Sequence, residues 1–173
     1  MGGFGSCGNL GHIAPQVVGY FNALGYRFWV KAGTTSSTAP TASTSMDEVM
    51  NLSNAGIQAQ SDTQDVLDYG STFGFKKQLV TQQSYSIPMT MNLDLRDAGY
   101  KTLRQASIDA PDGVTVTWFR QSPEMTTTGE PEKCAGVAQV TNFQEDIQAG
   151  NVAKVTFTLT GYGAYTWTAE TDA

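Results

Sequence analysis

Histidine occurs once in these 173 residues, at position 12, and cysteine twice, at 7 and 134. A single histidine leaves little for triads that use an imidazole base, and no serine or cysteine motif stands near a suitable turn. Basic residues are also few: ten Lys and Arg against sixteen Asp and Glu, a formal charge of −6. A protein that grips nucleic acid by its phosphates needs clustered cations, and none are clustered here. The same balance is compatible with DNA sliding past, because an acidic wall repels phosphate. No apolar run approaches the ~20 residues of a membrane-spanning helix. With no signal peptide in the sequence, both thiols are expected to be reduced, in a soluble product of the cytoplasm. Nothing here points to an enzyme, a cofactor or a resident metal.

Several motifs match by letter and fail by context. Gly3-Phe4-Gly5-Ser6-Cys7-Gly8 fits G-x-G-x-x-G, but residue 3 leaves no room for the strand that a nucleotide loop needs before it. Met1-Gly2 with Ser6 fits a myristoylation pattern without any polybasic support. Asp62, Asp65 and Asp68 are spaced by three, which misses the alternate spacing and central glycine of a calcium loop. Glu145-Asp146 reads as exposed turn carboxylates, and Asn51-Leu52-Ser53 as a glycosylation pattern without meaning in an unsecreted protein.

What is present favours strands and turns. Thr, Ser and Gln abound, glycine numbers 18, and hydrophobic residues make up 40% of a chain long enough for one sizeable core. Residues 1–25 form a glycine-rich arm, and one domain is expected over 26–168 with a loose acidic tail at 169–173. Tyr26 to Ala32 reads as the first strand, followed by a low-complexity loop over 33–46 of small and polar residues. A short strand at 47–53 leads into a long acidic loop over 54–71. Ser71 to Val80 is expected to be a strand, Thr81-Gln82-Gln83-Ser84 a turn, and Tyr85 to Leu93 its partner. In that last stretch Tyr85, Ile87, Met89, Met91 and Leu93 alternate with polar residues or Pro88, the period of a half-buried strand. Pro88 cannot donate to a ladder and predicts an edge or a bulge.

One helix is expected at about 95–106, capped by Asp94, with Leu95, Ala98, Gly99, Leu103 and Ala106 on one face. Strands follow at Val114–Arg120 and Cys134–Phe143. Ala149-Gly150-Asn151 then turns the chain into a last strand, Val152 to Trp167, bent at Gly161 and Gly163. Trp118 and Trp167 lie in strand phase and are expected in the core.

The order of these elements resembles the phage major tail tube protein family. The match is carried by Tyr26-Arg27-Phe28-Trp29-Val30, the Glu48-Val49 strand with its acidic loop through Asp68-Tyr69-Gly70, and Met89-Thr90-Met91 followed directly by the helix. Val114 to Phe119 and Val155 to Gly161 complete it. The resemblance implies a mainly β fold of two packed antiparallel sheets, sandwich-like or barrel-like, with one flanking helix and long extended loops. It further implies hexameric rings that join their sheets into an inner barrel and stack into a virion tail tube, assembled in the host cytoplasm. DNA would pass through the lumen without specific binding, and other tail proteins (terminator, baseplate or tip, tape measure) would be partners, with no membrane involved. Candidate contacts between rings or subunits are Asp62, Asp65, Val66, Leu67, Asp68 and Tyr69. Candidate inner-barrel hairpin residues are Phe73, Phe75, Lys77, Tyr85, Ile87, Met89 and Met91. The alternatives are a tail terminator or secretion-apparatus tube of the same fold, and a monomeric β-sandwich binding module.

Overall fold

A computed structural model describes residues 25–33, 40, 43–66, 77–123 and 130–169. The glycine-rich arm, most of the low-complexity loop, and Leu67, Asp68, Tyr69, Phe73 and Phe75 lie outside the described residues. In chain order the elements are β1 (Arg27–Ala32), β2 (Asp47–Glu48), β3 (Leu52–Ala55), β4 (Gln58–Val66), β5 (Lys77–Asn92), α1 (Ala98–Ile108), a 3-10 turn (Ala110–Asp112), β6 (Val116–Gln121), β7 (Lys133–Asp146), β8 (Lys154–Gly161) and β9 (Thr166–Thr168).

The described residues are mainly β, as the composition predicts, with one α-helix among them. The strands form one antiparallel sheet, hydrogen-bonded in the order β2-β1-β6-β7-β8-β5-β3, with β4 also on β5 and β9 also on β7. That sheet is not closed into a barrel, but it curls. β2 and β3 stand at opposite ends of the order, yet only Val49, Met50 and Asn51 separate them. Val49 N donates to Phe28 O at 2.8 Å on β1, and Asn92 N donates to Asn51 O at 3.1 Å beside β5. The two ends of the sheet therefore meet, and the sandwich-like interior is the inside of one folded sheet. Tyr26, Phe28, Leu52, Ala55, Gly56 and Arg120 line a depression along that seam.

The core follows from alternation. Phe28 and Val30 on β1, Tyr85, Ile87, Met89 and Met91 on β5, Val116 and Trp118 on β6, and Val155, Phe157 and Leu159 on β8 are all buried on its inner side. At its centre the Trp118 ring stacks on Phe28, centroids 5.8 Å apart, and meets Tyr85 edge-on at 5.9 Å. Trp118 Nε1–H donates to Tyr85 Oη at 3.1 Å, and Tyr85 O–H donates to Val137 O, so neither polar tip is left unsatisfied. Two glycines make room for that tyrosine. A Cβ on Gly161 would lie 2.4 Å from its ring, and one on Gly136 would lie 2.7 Å from its hydroxyl.

Pro88 sits inside the sheet, opposite Thr158 of β8. On its other side β3 pairs no further than Met89 and β4 begins at Ser86, so the ladder is already broken there at Gly56–Ile57. The irregularity that a proline needs is thus supplied by the β3–β4 junction.

The helix starts later than its sequence suggests. Asp97, not Asp94, is the N-cap, and its Oδ1 accepts from Gly99 N at 2.9 Å. Asp97 Oδ2 accepts from Met50 N at 3.0 Å, so one buried carboxylate ties the helix to the β2–β3 link. Asp94 instead forms a local turn, accepting from Arg96 N. Leu95 then falls before the helix and is exposed, while Gly99, Tyr100, Leu103 and Ala106 face the core. An Asp97→Ala protein is expected to lose about 1–3 kcal/mol, read as a lower melting temperature.

Candidate assembly surface

β4 and β5 pair from Gln58 opposite Ser86 to Val66 opposite Lys77, with one register shift between Asp62 and Thr63. Every side chain of β4, and those of Gln78 to Ser84 on β5, are exposed. These two stretches hold mainly Gln, Ser, Thr and Asp, with Val66, Leu79 and Val80 exposed among them, where a core strand would bury alternate apolar residues. Gln78 Nε2 donates to Asp65 Oδ1 at 3.1 Å and Thr81 Oγ1 to Asp62 O at 3.2 Å, which ties one strand to the other. Pairing of β8 with β5 ends at Ser86 opposite Thr160. Beyond that point, among the described residues, the β4–β5 ribbon has no third strand on either edge.

This arrangement corrects three expectations. Thr81 to Ser84 is not a turn: β5 runs unbroken for 16 residues from Lys77 to Asn92. The segment has no Gly, Pro or Asn-Gly pair to reverse a chain, and the hydrogen bonds from β4 hold it extended. The stretch Gln60–Val66 is strand rather than loop, so the ribbon is formed by β4 with β5 and not by 71–80 with 85–93. Of the contact candidates, Asp62, Asp65 and Val66 lie on β4. Lys77 opens β5, whereas Tyr85, Ile87, Met89 and Met91 point into the core. Trp167, expected inside, is 62% exposed on the short edge strand β9, beside Tyr165 and Gly163 in a groove against β4 and β5.

The outer face of the sheet was missed as a unit. On β5, Gln82, Ser84, Ser86, Thr90 and Asn92 alternate with the core residues and point outward. Register places Thr160, Thr156 and Lys154 of β8 opposite Ser86, Thr90 and Asn92. On β7, Gln139, Thr141, Gln144 and Asp146 stand opposite Thr160, Thr158, Thr156 and Lys154. A bulge at Asn142, whose φ is +53°, turns Phe143 inward and keeps Gln144 on this face. On the far side Gln58, Gln60 and Asp62 of β4 continue the row opposite Ser86, Ser84 and Gln82. The result is a hydroxyl-and-amide surface across four strands whose charges are Asp62, Asp146 and Lys154. The signal was present in the alternation Gln58-Gln60-Asp62-Gln64 and in Thr156-Thr158-Thr160.

At the seam, Arg27 on β1 makes a two-pronged contact with Glu48 on β2, both N···O distances being 2.7 Å. Arg27 also lies over the Trp29 ring, 4.8 Å from its centroid. The hydrogen bond from Arg27 holds the Glu48 carboxyl below its ordinary value of 4.5. A carboxyl depressed in the fold adds stability that is complete above the unfolded value and is lost as pH falls through the folded one. Acid unfolding monitored below pH 4.5 is therefore expected to be shallower for Glu48→Gln, with the two proteins' stability difference narrowing as pH drops. Elsewhere, burial pushes the Tyr85 hydroxyl and the Cys134 thiol up, which suits a core tyrosine and a buried free thiol.

No protein-family model matches the sequence, and no curated protein is similar to it in sequence. Solved structures are similar in shape. The SPP1 tail tube superposes with a TM-score of 0.64 at 13% identity, over 88% of this chain and 81% of that one. A chain from the tail of an empty gene transfer agent particle, refined helically with C6 symmetry, gives 0.59 at 18% identity, covering 82% and 96%. The chain has the tail-tube fold. A chain of the anti-feeding prophage baseplate, six-fold symmetrised, gives 0.59 at 12% identity and covers 87% and 97%. These superpositions cover 82%, 88% and 87% of this chain, so the likeness in fold extends over most of its length. At these identities the likeness speaks for the fold, and the surfaces described above carry any argument about use.

Proposed function

We propose that this protein is a structural virion component whose copies close into hexameric rings and stack into a tail tube through which DNA leaves the particle. The observation that carries the reading is the exposed β4–β5 ribbon, whose two outer edges have no further strand among the described residues. Left alone, such edges invite uncontrolled aggregation, and joining β4 of one copy to β5 of the next removes both. That contact is heterologous, and it closes when the rotation between copies divides a full turn. Six-fold symmetry in two of the similar structures supports six copies. The joined ribbons then make an inner barrel, and the hydroxyl-and-amide face becomes its lining. A lining of Thr, Gln and Ser with few charges stays wet without binding phosphate, as a conduit requires.

Negative-stain microscopy of the purified protein tests this reading. Rings or tubes with an open lumen are the expected result, and globular monomers at high concentration would sink it. The baseplate likeness favours a second reading, a terminal or baseplate ring of the same fold. Such a protein would stop at single rings where a tube protein grows long.

The lining makes a separate prediction. Thr156→Lys with Thr160→Lys places cations where phosphate passes, and DNA release from particles carrying them should slow roughly tenfold or more at low salt. The deficit should shrink as salt rises. Ejection at the normal rate by particles with both lysines would put this face elsewhere.

A further inference from the structure

Among the described residues Trp167 is the largest side chain left open to solvent, and it does not stand on a flat surface. It lines a groove of about 720 Å3 between the segment that follows β8 and the base of the β4–β5 ribbon. The groove opens because β8 parts from β5. Their pairing ends at Ser86 opposite Thr160, and the chain then follows β7 instead. Tyr162 N donates to Val137 O at 2.8 Å, and Trp167 stands opposite Cys134. Gly161, Gly163 and Ala164 lie along that departing segment, so no bulky side chain fills the space it leaves. Residues 59–61 of β4 and 82–85 of β5 both line the groove, which therefore lies over the ribbon's face and not at an edge. Alternation places Ser61 and Gln83, opposite each other in register, on the same side of the ribbon as Tyr85.

The groove's chemistry narrows what it can hold. Tyr165 meets Tyr85 edge-on, centroids 5.1 Å apart, and stands 6.5 Å from Trp118, so the core fixes the plane of its ring. With Trp167 two residues further on, the groove has two aromatic rings along one wall. The face of such a ring is the negative part of its quadrupole and attracts C–H groups that bear partial positive charge. Beside the rings, the Ser61 hydroxyl, the Gln83 amide and the Tyr165 hydroxyl have no hydrogen-bond partner among the described residues. Each of them can both donate and accept. No Asp, Glu, Lys or Arg lines the groove. A phosphate, carboxylate or ammonium group would find no counter-charge there, which disfavours nucleic acid and charged peptides. The ligand that fits is uncharged, presents one apolar C–H face and carries hydroxyls around its edge. A sugar ring has all three properties. The volume falls within the roughly 300–1,000 Å3 of sites that hold small organic ligands, enough for a short oligosaccharide.

We infer that this groove binds a neutral oligosaccharide, with a sugar ring stacked on Trp167 and its hydroxyls held by Gln83, Ser61 and Tyr165. The inference does not rest on the tube reading, since a ligand over the ribbon's face leaves the outer edges free to join copies. Retention of the full chain on immobilised oligomers of glucose, galactose, mannose and N-acetylglucosamine tests it, with a heparin fragment as the anionic comparison. At least one neutral oligomer should retain the protein, and heparin should not. Calorimetry with the retained oligomer then reads the variants. Trp167→Ala is expected to weaken binding roughly tenfold or more, and Gln83→Ala roughly three- to tenfold. Both side chains are exposed, so both variants should melt within a few degrees of the unchanged protein. Retention by none of the four neutral oligomers would overturn the proposal. So would heparin binding as strong as any of them, or an affinity unchanged in either variant.

Discussion

Replacing residues 61–83 by Asn-Gly yields a folded protein that forms no rings at any accessible concentration. Gln60 and Ser84 face each other in register, so a two-residue turn joins them without disturbing either strand. The described side chains removed are all exposed and none belongs to the core, so the melting temperature should move by only a few degrees. What disappears is the ribbon whose two edges are proposed to join neighbours. Each ring closes only if every junction holds, and a junction without its strands retains only side-chain contacts between bodies. Loss of even about 4 kcal/mol per junction weakens it roughly a thousandfold, which is enough to abolish closure. Analytical ultracentrifugation of the shortened chain is the check. Hexamers from that chain would show that ring closure uses another surface.

Trp118→Ala should be the most damaging single substitution in the body. The side chain is fully buried, lies flat on Phe28, meets Tyr85 edge-on and stands 6.5 Å from Tyr165. Removing it empties the point where β1, β5 and β6 meet and leaves the Tyr85 hydroxyl without its donor. A buried tryptophan truncated to alanine costs about 3–5 kcal/mol. At roughly 2–4 °C per kcal/mol for a domain of this size, the melting temperature should fall by about 6–20 °C. Trp118→Phe keeps most of the packing and loses the N–H, so it should recover over half of the loss. A melt unchanged by Trp118→Ala would mean that the curled sheet is not held at this centre.

The core strands were legible because burial imposes a period. Tyr85 to Met91 and Val155 to Leu159 alternate so regularly that their inner faces follow from the letters alone. The ribbon was not legible for the same reason in reverse. Gln78 to Ser84 and Gln58 to Val66 bury nothing, so no apolar rhythm separates strand from loop there. Tyr85 is where that rhythm begins, which made one 16-residue strand look like two. The helix cap shifted from Asp94 to Asp97 because both are aspartates with a free side chain. Only the amide of Met50, 47 residues earlier, selects between them. Trp167 shows that strand phase is a weak guide in a three-residue edge strand. The family likeness implied two packed sheets; that they are one curled sheet was unreadable locally, since it depends on a three-residue link between strands at opposite ends of the hydrogen-bonded order.

A cryo-electron microscopy map of the assembled protein bears most directly on the claim that this chain builds a tube lined by its polar sheet face. The expected map has six copies per ring, β4 of each hydrogen-bonded to β5 of the next, and Thr156, Thr158 and Thr160 facing the lumen. A map with the β4–β5 ribbon on the outside of the particle, or with those threonines turned away from the channel, would contradict it.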